Sequence, residues 1–387
     1  MSKLFALAAG ALLAGGVTAA IPAHASKYSV VYSFKGGSDG ANPFSGLVDV
    51  GGTLYGTTWF GGATNSGTAF GVTPAGTETM LYSFQGGNDG LYPWSGLTNV
   101  DGILYGTTLQ GGLGNYGTVF EVTTAGVKTT LHSFAGGLDG TLPVGGLIKS
   151  GADLYGTTSA GGDGSGCGTP GCGTVFKMSM TGNEKVVFRF GNYQEDAIYP
   201  LGTLLAQNGE LYGTTYNSYD FNTPLGAVFE TTKKGTESVL HLFGSGTDGA
   251  DPVGGLIEFN GTFYGTTESG GTDEFGTVFS ITPAGVETVL YSFTSMGDGG
   301  GPQVALINVD GTFYGVTGNG YNKNGPFSST LFSITPAGVL TTLHTFGTGQ
   351  DGDVALGTLI RLGHALYGTT EAGGTGGKGT VFKYKLD

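Results

Sequence analysis

Leu54-Tyr55-Gly56-Thr57-Thr58 is a short run of strand-forming residues interrupted by one glycine, and it returns six more times along the chain. Its tyrosine recurs at Tyr105, Tyr155, Tyr212, Tyr264, Tyr314 and Tyr367, spaced by 50, 50, 57, 52, 50 and 53 residues. Sixteen residues before each tyrosine stands an aspartate: Asp39, Asp89, Asp139, Asp196, Asp248, Asp298 and Asp351. Eight residues before it stands a leucine: Leu47, Leu97, Leu147, Leu204, Leu256, Leu306 and Leu359. Downstream a GTVF-like run carries Phe70, Phe120, Phe176, Phe229, Phe279, Phe332 and Phe382. Fourteen residues beyond the first six of these come Phe84, Phe134, Phe190, Phe243, Phe293 and Phe346. The large length variation falls between the tyrosine and the GTVF phenylalanine. That interval is 15 in four repeats and 21, 17 and 18 in the third, fourth and sixth.

Each repeat holds four runs of strand type separated by glycine turns. In the first they are Gly46 to Val50, Thr53 to Thr58, Thr68 to Thr73 and Thr77 to Phe84. Gly51-Gly52 supplies the positive φ of a tight hairpin, and Pro74-Ala75-Gly76 marks the next turn. Four antiparallel strands in about 50 residues match a propeller blade and exceed one coil of a β-helix. The last repeat stops after its third strand, Gly379 to Tyr384, and an orphan fourth strand, Tyr28-Ser29-Val30-Val31-Tyr32-Ser33-Phe34, lies near the N-terminus. Joining them covers edges that an open array would leave unpaired. The expected fold is therefore all-β: a seven-bladed β-propeller of four-stranded antiparallel blades, closed by the N-terminal strand completing the last blade. It forms one domain over residues 26–387.

Composition agrees with this. Glycine fills about a fifth of the 387 residues, 79 in all, too many for a helical bundle, and follows no collagen period. Aromatic residues at 12% and hydrophobic residues at 39% suffice for a core and argue against disorder. A net charge of -14 excludes nucleic acid as partner, because no basic stripe exists to neutralise phosphates. Met1 to Ala25 has the form of a secretory signal peptide, with Lys3 in the n-region, an apolar stretch from Leu4 to Ala20, and Ala23-His24-Ala25 as cleavage pattern. No transmembrane segment is expected in the mature chain, which would be secreted or periplasmic. Cys167 and Cys172 fit an oxidising compartment and a local disulfide that pins a Gly/Pro turn; two thiolates without nearby histidines do not complete a metal site.

The repeat also resembles a known family. The runs F-x-G-G-x-D-G-x-x-P-x-x-G-L, L-Y-G-T-T-x-x-G-G and G-T-V-F-x-x-T-x-x-G are similar to the GloVer tandem repeat of bacterial exported "choice-of-anchor" proteins, over nearly all of the mature chain. The resemblance implies a surface or secreted propeller-like protein without an established biochemical role. Members often end in an anchoring signal; this sequence ends at Leu386-Asp387 without one, which leaves cell-surface anchoring open.

Propeller topology places the Asp-bearing connection, from strand D of one blade to strand A of the next, on the same face as the variable B–C loops. The aspartates suit a calcium or other cation site, for which Asp248 with Asp251 and Asp351 with Asp353 are the candidates. They equally suit turns in which each Asp accepts backbone hydrogen bonds, and a role repeated seven times reads as architecture. No other cofactor is expected. The YGTT tyrosines read as packing between blades. His132, His241 and His344 hold the strand-D place of Tyr32, Tyr82 and Tyr291 and read as packing too; His364 falls in the A–B turn of the opposite face. Gly112-Leu113-Gly114-Asn115-Tyr116-Gly117 formally matches G-x-G-x-x-G, but no helix follows it, and the match is accidental.

Function is expected where the blades differ. Trp59 and Trp94 both fall on the loop face, joined there by Phe60, Tyr116, Tyr216, Tyr219 and Tyr321. Aromatic faces beside polar groups suit sugar rings, so an extracellular carbohydrate is the expected ligand and a non-catalytic binder the expected role. Glu268 and Glu371 follow YGTT in the fifth and seventh repeats and open the alternative of a polysaccharide lyase or glycoside hydrolase, which needs two carboxylates across a pocket. A scaffold for an extracellular protein partner is the third reading.

Overall fold

A computed structural model describes residues 26–162, 167–168, 170–191, 197–218, 225–244, 246–294, 297–318, 320–322, 325–347 and 350–387. The signal-peptide assignment for residues 1–25 lies outside them.

Seven antiparallel sheets form a β-propeller, six of four strands and one, blade 4, of five, where Ala197–Pro200 also pairs with Glu210–Ser218. Blade 1 consists of Val48–Val50, Thr53–Thr58, Thr68–Val72 and Glu78–Ser83, here strands A to D from the axis outwards, and every blade repeats that order. Asp49 Oδ1 accepts the Gly52 N–H at 2.8 Å and holds the A–B hairpin; Asn99 and Asn308 do the same for Gly102 and Gly311. Ring closure is as expected. Tyr28–Ser33 pairs antiparallel with Thr380–Lys385, so blade 7 takes its outermost strand from the N-terminus.

The repeated residues are those that fill and join blades. A Cβ on Gly56 would lie 2.9 Å from both Leu47 Cδ2 and Phe70 Cζ, and the equivalent glycines of the other blades meet the same pair of side chains. The repeated leucine and GTVF phenylalanine thus occupy the space the YGTT glycine leaves. The phenylalanine ending strand D packs edge-on or steeply tilted on the GTVF phenylalanine of the next blade, with ring centroids 5.0 to 5.4 Å apart at all seven seams from Phe34–Phe70 to Phe346–Phe382. Tyr212 on Phe263 and Tyr264 on Phe313, both at 4.4 Å, show YGTT tyrosines packing across seams.

Two polar stitches accompany this apolar ladder. In five blades the first YGTT threonine donates to a main-chain carbonyl just ahead of strand A in the next blade, as Thr57 does to Ser95 and Thr369 to Ser45 across the closure. The other stitch uses a residue held at positive φ in every D–A connection: Asn42, Tyr92, Leu142, Tyr199, Asp251, Gly301 and Val354, with φ between 56° and 60°. In six of these the N–H donates to the preceding blade's B–C loop, as Asn42 does to the Lys378 carbonyl at 2.8 Å. The carbonyl accepts from the residue after YGTT in its own blade, as Asn42 does from Trp59 at 3.0 Å. These paired bonds offset the cost of the left-handed conformation.

Candidate functional site

On the loop face the channel opens into a cavity of about 300 Å³. The residue after the motif proline, or its equivalent in blade 7, points to this mouth from each blade: Phe44, Trp94, Val144, Leu201, Val253, Gln303 and Leu356. Six are apolar and one is an amide. Behind them stand the residues that follow YGTT, of which Leu109 and Ser159 also line the cavity. The remaining members of that outer ring are Trp59, Tyr216, Glu268, Gly318 and Glu371. The stitch described above fixes both rings, because its positive-φ residue sits two positions before the first ring and bonds the main chain of the second.

The rings are aromatic at one side. Phe44, Trp59, Phe60, Tyr92 and Trp94 form one half-buried cluster: Trp59 meets Trp94 edge-on at 5.0 Å and stacks on Phe60 at 4.7 Å, Phe44 lies 4.3 Å from Trp94, and Tyr92 abuts Phe60 at 5.4 Å. Trp59 Nε1 is buried and has no hydrogen-bond partner among the described residues. Sequence reasoning missed Phe44 as a member, although it holds in repeat one the place of Trp94 in repeat two.

Roughly opposite, the chemistry is acidic and amide. Glu268 Oε1 accepts from Gln303 Nε2 at 2.8 Å, and Asp251 accepts from the Ser269 hydroxyl. Burial raises the Glu268 carboxyl above its ordinary range and the Asp251 charge adds to this, while the Gln303 amide opposes it. Burial likewise raises Asp251. Tyr216 stands beside both, 39% exposed, its phenol raised by burial and then by the two carboxylates. In blade 7, Glu371 is raised by burial and by the neighbouring Asp353.

Other candidates lie apart from the mouth. Tyr116 is 41% exposed and leans over Gly136 at the seam of blades 2 and 3. Tyr219 and Asp196 lie outside the described residues, as does the side chain of Tyr321. Among the described residues the repeated aspartates sit at the outer edge of the ring, where Asp39, Asp89, Asp139, Asp248 and Asp298 cap the turn leaving strand D. Asp39 accepts the Lys35 N–H and the Tyr32 hydroxyl, and Asp89 repeats this with Gln85 and Tyr82. Asp248 accepts the Gly244 N–H and faces His241, and Asp351 faces His344. Asp248 and Asp251 therefore serve different elements, as do Asp351 and Asp353, whose Oδ1 accepts the Val354 N–H at 2.9 Å. Cys167 and Cys172 form a disulfide in the B–C loop of blade 3, with Cα atoms 5.4 Å apart.

No curated protein matches the sequence. Among solved structures, the polysaccharide lyase Uly1 superposes with a TM-score of 0.51 at 11% identity, over 92% of this chain and 92% of that one. PorZ, a surface component of the type-IX secretion system of Porphyromonas gingivalis, gives 0.50 at 13% identity, over 91% of this chain and 47% of its own. At such identities the likeness is one of fold alone. Family membership rests on the repeat itself: the Gloeobacter/Verrucomicrobia repeat matches residues 7–224 and 164–382, and the chain belongs to that family.

Proposed function

We propose that the protein is an exported binding propeller whose channel mouth takes an extracellular carbohydrate. The observation that carries this reading is that Trp94 lines the cavity with Trp59 packed edge-on behind it at 5.0 Å, while Ser159 and Gln303 also line it and Gln303 bonds Glu268 behind the opposite wall. Sugar C–H faces stack on indole while hydroxyls take amide and carboxylate hydrogen bonds. Among the described residues no helix is long and apolar enough to cross a membrane, and the Cys167–Cys172 disulfide is consistent with an extracellular or periplasmic location.

Because both tryptophans belong to the cluster, intrinsic tryptophan emission reports directly on the site. A polysaccharide and oligosaccharide panel, scored for retention, emission change and product release with and without calcium, tests the reading. Binding should shift the emission and be lost in Trp94→Ala. An entire panel that neither binds nor shifts the emission would overturn it. A second reading has its own observation, the raised carboxyl of Glu268 beside Asp251, which suits a general acid beside a second carboxylate. Product release that disappears in Glu268→Gln while retention persists would establish that reading.

A further inference from the structure

At the outer edge of the ring each seam repeats one polar junction, and its composition changes from blade to blade. It joins the aspartate after strand D, the Tyr or His seven residues before it, and the first residue of strand D in the next blade. Between blades 1 and 2 these are Asp89, Tyr82 and Lys128. The Lys128 side chain is 2% exposed, and its ammonium donates to Asp89 Oδ1, to the Asp89 carbonyl and to Thr130 Oγ1 at 2.6 to 2.7 Å, so this junction is built around a cation of its own. Between blades 2 and 3, and again between blades 4 and 5, the lysine is replaced by Glu184 and Glu287 and the tyrosine by His132 and His241. An imidazole nitrogen, an aspartate oxygen and a glutamate oxygen then lie within 4.8 Å of one another.

Spacing separates these two junctions from the other histidine junction. His132 Nε2 stands 3.3 Å from Asp139 Oδ2, and His241 Nε2 stands 3.2 Å from Asp248 Oδ1. Where Tyr28 replaces the glutamate, His344 Nε2 and Asp351 Oδ2 close to 2.9 Å, an ordinary hydrogen bond. A tetrahedral ion with nitrogen and oxygen ligands at about 2.0–2.1 Å sets its donors roughly 3.3 Å apart. The aspartates are already oriented by main-chain bonds from Ala135 and Gly244. Glu184 Oε1 and Glu287 Oε1 are buried with no hydrogen-bond partner among the described residues. Arg189, whose Nε donates to the Leu138 carbonyl, places a cation near Glu184.

We propose that His132, Asp139 and Glu184, and likewise His241, Asp248 and Glu287, each bind a divalent transition-metal ion of the zinc class, leaving a fourth position for water. The ion then ties the outermost strand of one blade to that of the next, as Lys128 does in the seam between blades 1 and 2. With imidazole exposures of 19% and 21%, both sites are open to solvent for loading.

The test uses the whole mature protein, stripped with EDTA and titrated with zinc chloride in isothermal calorimetry with a competing chelator. Two sites per chain are expected, together with a rise in Tm on loading. Glu184→Gln and Glu287→Gln should each remove one site, with at least a tenfold loss of affinity there, and the double variant should remove both. His344→Gln should leave two. Phe188 already holds the histidine's place in blade 3, so His132→Phe and His241→Phe serve as a second pair should the glutamine variants not fold. No zinc uptake at micromolar free ion, or two sites persisting in the double variant, overturns the proposal.

Discussion

Ring closure is the one seam made within a blade rather than between blades, and Phe34→Ala probes it. Phe34 is fully buried, its ring edge-on to Phe70 at 5.0 Å and to Tyr32 at 5.1 Å, and its N–H donates to the Gly379 carbonyl at 2.9 Å. Removing a buried phenylalanine costs about 3–5 kcal/mol, of which each aromatic pair accounts for roughly 0.5–1.5 kcal/mol. With a urea slope of about 3 kcal/mol per M, the unfolding midpoint should fall by about 1–1.7 M. Phe84→Ala is the matched control. It too is fully buried, with Phe120 at 5.0 Å and Tyr82 at 5.4 Å, but its strand is covalently continuous with its own blade. Both variants should lose similar stability in urea, whereas only Phe34→Ala should loosen the N-terminal strand and admit native-state trypsin at Lys35. A midpoint within about 0.3 M of the parent, or trypsin cleavage at Lys35 no faster than in Phe84→Ala, would refute the account of closure.

Three further outcomes follow from residues fixed above. Gly56→Ala inserts a methyl 2.9 Å from Leu47 Cδ2 and Phe70 Cζ and should cost about 1–3 kcal/mol in chemical unfolding; an unaffected midpoint would mean the blade core yields freely. The Glu78 carboxyl, buried and beside Asp39, is raised to about 7 from 4.5, with Tyr32 and Lys35 opposing the shift. The folded state therefore keeps a proton that the unfolded chain releases near pH 4.5. This group's stabilisation is full below that pH and is lost as the pH rises to about 7. In EDTA, Tm should decline over that window, and Glu78→Gln should flatten part of the decline. Reducing the Cys167–Cys172 bridge, which closes a loop of sequence separation 5, should cost about 2 kcal/mol and raise hydrogen exchange only around the B–C loop of blade 3.

Where seven copies of one residue do the same work, the sequence was legible. Constant spacing of Leu47, Tyr55, Phe70 and Phe84 identified blade and seam together, because each blade must present the same surface to its neighbour for the ring to close. The repeated aspartate was legible as a turn residue for the same reason. The histidines were read as packing, and they do stack edge-on against Phe134, Phe243 and Phe346, each about 5 Å away. Their pairing with Asp139, Asp248 and Asp351 could also have been read from the seven-residue spacing they share with Tyr82 and Asp89. The glutamates could not. Glu184 reaches Asp139 only because strand D of blade 3 lies against the turn leaving blade 2, a relation set by the seam. Asp251 and Glu268 were separate candidates in the sequence; only the return of the D–A connection beneath the B–C loop puts them side by side.

The division between fixed and variable positions has a mechanical cause. Val354 and Leu142, poorly suited to positive φ, hold it at 58° and 56° in the same place where Gly301 and Asn42 do. Such a residue costs on the order of 1–2 kcal/mol. It persists because the backbone of this position is bonded on both sides: the Leu142 N–H donates to the Tyr116 carbonyl of the preceding blade, and its own carbonyl accepts from Ser159. Apart from the Val354 N–H, which donates to the Asp353 carboxylate, these paired bonds run between main-chain groups, so the side chains two residues on and across the stitch are free to change without disturbing a seam. That freedom is spent on the two rings at the channel mouth, where Phe44, Trp94 and Trp59 at one side give way to Gln303 and Glu268 at the other. A scaffold of this kind presents an unlike set of side chains on seven equivalent and rigid positions, the condition for orienting an asymmetric ligand at the axis of a nearly symmetric ring.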